Sequence, residues 1–242
     1  MTTLRWALRI HKWIALIVGL QILLWIMGGV VMSAIPIEHV RGEHKIREPA
    51  PVTLTPSSVI TIAEAAKAAN MLTLGHAELG QLQETPVWRL RDADGNRSLV
   101  NAVSGQVLSP LPEQLARSIA TTDYLGDAPI RSAQYLATSP TEYGRPAPVW
   151  KIAFDDNGNT TLYIDPFTAE VRARRSSTWR FYDFFWRLHV MDYNDGEDFN
   201  HPLLITAAGA ALLVAMSGIT LLFLRMRRLL TGSRRRRSPT PS

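Results

Sequence analysis

The chain has 242 residues, with 26 Lys and Arg against 21 Asp and Glu, six His and no Cys. Without cysteine there is no thiolate catalysis, iron–sulfur cluster, Cys-ligated zinc or covalent c-type haem, so any metal or haem must rest on His, Met, Tyr or carboxylates. The net charge of +5 does not point to nucleic acid, because the excess is in the two ends: ten basic residues lie there, and all 21 acidic residues fall between Glu38 and Asp198.

Residues 1–12 carry Arg5, Arg9 and Lys12 and no acid. Trp13 to Ile35 follows as 23 residues without a formal charge, and Pro202 to Leu224 is a second such run. A hydrocarbon core of ~30 Å takes about 20 helical residues to cross, so both runs are predicted to span. Segments rich in Lys and Arg stay in the cytoplasm. The sequence therefore predicts both ends, 1–12 and 225–242, on the cytoplasmic side, with a middle region over 36–201 on the other. Anionic lipid headgroups are the natural counter-charge for the tails. A cleaved signal peptide competes for the first run, but its apolar stretch would be too long and Met32-Ser33-Ala34 lacks a small residue three before the cut. A retained anchor is expected.

On the first run Gln21, Trp25, Gly29 and Ser33 recur every four residues, and on the second Ala207, Ala211 and Ala215 do the same near Gly218. Such rows let helices approach closely, within one chain or in a dimer, and a buried Gln seeks a partner. After Pro49-Ala50-Pro51, Thr61-Ile62-Ala63-Glu64 reads as a capping box opening an Ala-rich helix to about Asn70. Pro112 suits the first position of another helix running to about Tyr124. Val87-Trp88-Arg89-Leu90 and Val149-Trp150-Lys151-Ile152 begin two similar stretches at an offset of 62 that drifts to 64. Each reads as strand, Gly/Asn turn, strand, turn and short strand. The expected fold class is α+β: two transmembrane helices flanking two helix-plus-meander repeats, about 52–110 and 111–175. An aromatic amphipathic helix over 178–193 is expected at the outer interface. The run Arg234 to Arg237 with Ser-Pro-Thr-Pro-Ser behind it is expected to be a disordered anchor.

The residues Arg9-Ile10-His11-Lys12-Trp13, Gly19-Leu20-Gln21, Leu24-Trp25 and Gly28-Gly29 resemble the PepSY-associated transmembrane family. So do Arg41-Gly42-Glu43-His44, Tyr163-Ile164-Asp165-Pro166, Trp186-Arg187-Leu188-His189, Met191-Asp192-Tyr193 and Ser217-Gly218. The resemblance covers nearly the whole chain except its basic tail. It implies an inner-membrane protein with a periplasmic domain of PepSY-like repeats. Larger relatives resemble iron-regulated reductases that carry haem between membrane helices and pass electrons to ferric siderophores. Unlike them, this chain has two apolar runs rather than four or more, and no flavin or NADPH module. Its electron donor would be quinol or a partner protein.

Histidine is the residue type able to carry strong chemistry here. His39, His44, His189 and His201 fall near the outer boundary, His11 near the inner one, and His76 within the soluble region. On a helical wheel Arg180, Asp183 and Arg187 form one stripe, and His189 falls opposite it among aromatic residues. A histidine there needs a hydrogen bond, donated by its ring N–H to a backbone carbonyl or to Asp192, or an iron. Two neutral imidazoles can ligate a b-type haem. The expected outer ligands are His189 and His44, with His201 as substitute. A 23-residue helix separates the two levels by about 35 Å, so a haem at His11 would need a second copy or another subunit. Two further readings stand beside haem-based electron transfer for iron or siderophore acquisition. One is a non-catalytic scaffold whose repeats bind a periplasmic partner through open strand edges. The other is a divalent-metal accessory using Glu38, His39, Glu43 and His44, or Asp192, Asp195, Glu197, Asp198 and His201. No Gly-x-Ser-x-Gly, His-Glu-x-x-His or phosphate loop is present, so nothing marks a stand-alone hydrolase, and nucleic acid is not expected as a partner.

Overall fold

The computed structural model describes residues 2–47, 59–193, 198 and 200–235. The proline linker at 49–51 and the end of the basic tail lie outside them. The chain divides into two units, Met1–Ala34 with Asp183–Ser242, and Ile35–Tyr182.

The first unit is built on two long helices, α1 (Thr2–Ala34) and α6 (Pro202–Arg235), which pack side by side. Within them Lys12–Ala34 and Pro202–Arg227 are long and apolar enough to cross a membrane, with mean hydropathies of 2.4 and 2.2. Large apolar side chains such as Trp13, Ile17, Leu20, Leu213, Ile219 and Phe223 stand exposed along both. An apolar surface of that extent is characteristic of lipid contact or partner contact. Both helices run further into the basic ends than the apolar runs do. Arg234 and Arg235, expected to belong to a disordered anchor, are helical, because Arg and Leu are good helix formers that extend a helix already nucleated; the rest of that run lies outside the described residues.

The small-residue rows are only partly inward. Ala207 and Ala211 are half-buried, but Ala215, Gly218 and Ser33 are exposed. Four residues advance an α-helix by about 400°, so a row at that spacing drifts by about 40° per step and leaves the contact. The inward line on α6 instead follows Leu204, Ala207, Ala211, Val214 and Ser217.

The second unit is sheet-rich. A short helix α2 (Ile37–Arg41) turns through Gly42, at φ +72°, into a 3₁₀ turn at Glu43–Lys45. Helix α3 (Ile62–Ala68) opens with the expected box: Thr61 accepts from the Glu64 amide, and Glu64 accepts from the Thr61 amide at 2.8 Å. Strands β1 (His76–Leu82), β2 (Thr85–Arg91) and β3 (Arg97–Asn101) form an antiparallel sheet in that order. Helix α4 (Glu113–Asp123) has Pro112 as its N-cap and so begins one residue later than the sequence suggests. Strands β4 (Ile130–Leu136), β5 (Val149–Phe154), β6 (Thr161–Ile164) and β7 (Val171–Arg175) form a second antiparallel sheet. Helix α5 (Ser177–Val190) follows almost without a break.

Alternation along the strands assigns the faces. Val87 and Leu99 of the first sheet meet Trp150, Ile152, Phe154, Leu162 and Ile164 of the second, with Ala116, Ile119 and Ala120 of α4, in one shared core. Leu90 and Val100 turn the other way, onto Ala65 of α3. Val149, Tyr163 and Ala173 back onto Tyr143.

The two halves use the same polar devices. The Trp88 indole donates to the Ile60 carbonyl and the Trp150 indole to the Leu111 carbonyl, each just ahead of a helix. Asp92 accepts the Asn96 amide and Asp156 the Thr160 amide, four residues on in both hairpins. Asn101 caps the Val103 amide and Asp165 the Phe167 amide, both at 2.9 Å.

The second hairpin does more than the first. Asp156 also accepts from Lys45 at 3.1 Å, from the Thr160 hydroxyl at 2.6 Å and from Tyr124 at 3.1 Å. Lys45 belongs to the segment leaving α1, which is tied further by an Ile46–Tyr124 bridge and by Arg47 N–H donating to the Asp123 carbonyl. At the other connection the Ser177 amide donates to the Gly158 carbonyl at 2.7 Å, and Arg180 donates to the Asn159 carbonyl at 3.0 Å. Both connections of this unit to the long helices thus dock on one turn, residues 155–160. Burial pushes the Asp156 carboxyl upward, but the Thr160 hydrogen bonds and the Lys45 ammonium outweigh it and hold it down to about 2. Burial, together with the bond to Asp156, pushes the Tyr124 phenol up to about 12.

Replacing Asp156 by Asn should cost about 2 kcal/mol at neutral pH. The folded-state carboxyl is depressed, so its contribution is complete above about pH 4 and fades as the pH falls toward 2. Urea unfolding of the full chain in detergent, followed by Trp fluorescence, should show wild type and Asp156→Asn converging near pH 2. Thr61→Ala should cost about 1 kcal/mol at any pH between 6 and 8 by the same measurement.

Candidate functional site

Within the first unit, Gln21, Trp25 and Gly28 share one face of α1, four and then three residues apart. The last turn of α5 lies against that face. A Cβ placed on Gly28 would sit 3.5 Å from the Phe185 carbonyl oxygen and 3.8 Å from His189 Cβ and Nδ1. Gly28 is therefore where α5 comes closest to α1. Its neighbour Gly29, stressed in the sequence row, has nothing within 4 Å. The Trp25 and His189 rings stand 6.5 Å apart at 55°.

Helix α5 stops straight after this contact. Met191 takes a left-handed conformation at φ +60°, and its amide donates to the Arg187 carbonyl. This closure fixes His189 in the final turn. Upstream, Asp183 and Arg187 pair at 2.7 Å, as the predicted polar stripe requires.

Three polar atoms of this face are buried and lack a hydrogen-bond partner: Gln21 Nε2, Trp25 Nε1 and His189 Nδ1. Burying such a group without a partner costs about 1–3 kcal/mol. Three together, on one helix face and its neighbour, are unusual for a packed interior. Two are N–H donors, and the third is an imidazole nitrogen able to donate, accept or bind metal. The expected alternative for His189, a hydrogen bond to a carbonyl or to Asp192, is not made by Nδ1. Asp192 is buried and accepts from the Asp198 amide at 3.2 Å.

The other histidines are placed differently. His201 sits at the start of α6, where its Nδ1 accepts from the Leu203 amide at 3.3 Å, so Nε2 is its remaining ligand atom. His11 lies on α1 seventeen residues before Gly28, about 25 Å along the axis at 1.5 Å per residue. In the second unit His39 and His44 are exposed and stack at 4.4 Å and 26°. His76 opens β1 at the surface, in keeping with an ordinary surface role.

No group of three or more His, Cys, Asp or Glu side chains able to hold a metal ion occurs among the described residues. The Glu38–His44 segment therefore assembles only its stacked pair. Asp195 and Glu197 of the other acidic group lie outside the described residues.

No match was found among curated proteins or among solved structures. A family model described as the PepSY-associated TM region matches residues 8–241, nearly the full length. The chain belongs to that family and is a membrane protein of the PepSY type.

Proposed function

We propose that the chain is an inner-membrane protein in which a b-type haem held at His189 serves electron transfer or reduction in support of iron or siderophore acquisition. It crosses the membrane twice, at Lys12–Ala34 and Pro202–Arg227, with both ends cytoplasmic and the central region periplasmic. The two apolar helices and the purely basic ends support this orientation. The matching indole, Asp and Asx hydrogen bonds of the two halves support a central region of two PepSY-like repeats.

One observation carries the haem reading: an imidazole nitrogen buried in the helical unit without a partner. A metal bond would offset that cost, and neutral imidazole is a standard haem ligand. Gln21 and Trp25 bring two unmatched N–H donors to the same face, suited to carboxylate oxygens such as haem propionates. A haem bound there would supply one-electron exchange at its iron. The protein's part is to hold His189 in the closed last turn of α5 and to present donors from α1. Its exposed apolar side chains face lipid rather than water. His44 is the candidate second ligand, and the Nε2 of His201 is the substitute. An inner haem at His11 requires a ligand from a second copy or another membrane subunit. Quinol or a partner protein is the electron donor, and a ferric siderophore is the candidate acceptor.

Protein purified in detergent from haem-replete cells should show a Soret band, with sharp α and β bands after dithionite. His189→Ala should lose at least tenfold of the bound haem. A colourless wild type under those conditions overturns the reading. Gly28→Leu should lower haem retention and cost about 1–3 kcal/mol through overpacking, read as a fall in melting temperature. Gly28→Ala should leave both close to wild type, because the added methyl meets only ordinary contacts.

A second reading, a scaffold that binds a periplasmic protein, is favoured by β1. That strand lies at the edge of its sheet, with Leu72 and Leu74 exposed just before it. An added partner strand would satisfy its outer backbone groups. A cross-linked periplasmic partner recovered equally by wild type and His189→Ala would support this second reading.

A further inference from the structure

The central region carries more acid than base, yet one cleft in it is lined by four arginines. Arg91, Gly95 and Arg97 bound it from the β2–β3 hairpin, Tyr143, Arg145 and Pro146 from the loop before β5, and Arg172 from β7. Its volume is about 460 Å³, within the usual range for small-molecule sites. No carboxylate lines it.

The charges are not all spent within the protein. Arg97 pairs with the buried carboxylate of Asp165, and Arg172 pairs with Glu170 at 2.9 Å. The guanidinium groups of Arg91 and Arg145 make no ion pair or hydrogen bond to any described residue, and both residues are exposed; their backbone carbonyls accept from the Gly75 amide and the Ser139 hydroxyl. Asp92 of the same hairpin is turned onto its own loop, accepting from the Asn96 amide at 2.8 Å and from its side chain at 2.7 Å. Glu142, next to Tyr143, is taken by Arg180 at 2.6 Å.

The walls are held in place. Asp165 fixes Arg97, whose guanidinium also lies 5.7 Å from the Phe167 ring centroid. Arg175 donates to the Glu142 carbonyl at 2.7 Å and so tethers the loop that carries Arg145. Tyr143 is buried and stacks on Tyr163 at 5.0 Å. Two fixed arginines and two unpaired ones converge on a concave space of ligand size. Planar guanidinium groups match carboxylates in a bidentate fashion, and a group of them favours a ligand with several.

We propose that this cleft binds a small molecule carrying two or more carboxylates, recognised by Arg91 and Arg145 with Arg97 and Arg172 as the fixed wall. The proposal is independent of the haem reading, because every residue in it belongs to the central unit.

The test is calorimetric titration of the full chain in detergent with citrate, inorganic phosphate and acetate, all at one ionic strength so that screening is constant. Citrate should bind most tightly, and acetate should not bind measurably. The Arg91→Ala/Arg145→Ala double variant should weaken citrate at least tenfold without changing the ligand-free melting temperature. Arg131→Ala, at an exposed position of β4 outside the cleft, should bind as wild type does. The proposal is overturned if citrate does not bind, or if the double variant binds it normally. Phosphate binding more tightly than citrate would also overturn it. So would a poly-glutamate peptide that binds where citrate does not, since that would assign the cleft to a protein segment.

Discussion

The Asp156 carboxylate ties the sheet-rich unit together. It caps its own hairpin through Thr160, neutralises Lys45 and receives the Tyr124 hydroxyl. A carboxylate this enclosed survives only because several donors replace its water. The arrangement links three distant parts of the chain: the segment after α1, the end of α4 and the β5–β6 turn. Ser177 and Arg180 then bring the beginning of α5 onto the same turn. The equivalent Asp92 in the first hairpin closes its own turn alone, so the two halves share a device and only one uses it for attachment.

The helical unit shows the opposite economy. Its two long helices expose large apolar side chains, and the polar atoms of the face shared by Gln21, Trp25 and His189 are unsatisfied. Gln21, Trp25 and His189 would each be better placed in water unless something meets them there. The close contact at Gly28 explains why His189 is held at this face at all. A side chain much larger than a methyl at position 28 would push α5 away.

Local features were the legible ones in the sequence. The Thr61–Glu64 box was readable because both partners lie three residues apart, and β2, β3, β5, β6 and β7 were readable from the repeated stretches and their turns. β1 and β4, which precede each stretch, carried no such mark, and the short strand expected at 105–107 forms only a Val100–Val107 bridge. The apolar runs showed where a helix would meet lipid but not where it begins or ends, since Arg and Leu continue a helix into the basic segments. Rows of small residues misled at Ala215 and Ser33 because a spacing of four drifts around the helix. Gly28 stood in the sequence beside Gly29, and only packing against α5 distinguishes them. The Asp156 network was hidden for a different reason: Lys45 lies 111 residues away. The arginine cleft likewise takes its walls from three separate segments. Ion pairs and clefts between distant segments leave no periodic mark.

The chain comes into the sheet-rich unit and leaves it at one hairpin turn, which has an architectural consequence. A domain whose two ends coincide can be inserted between helices without altering their course, because it adds no net displacement to the chain. In this sense the central unit is a cassette in the chain between α1 and α6. Its size can change while the two points of attachment stay together, and the turn at 155–160 is the socket through which any such exchange would have to pass.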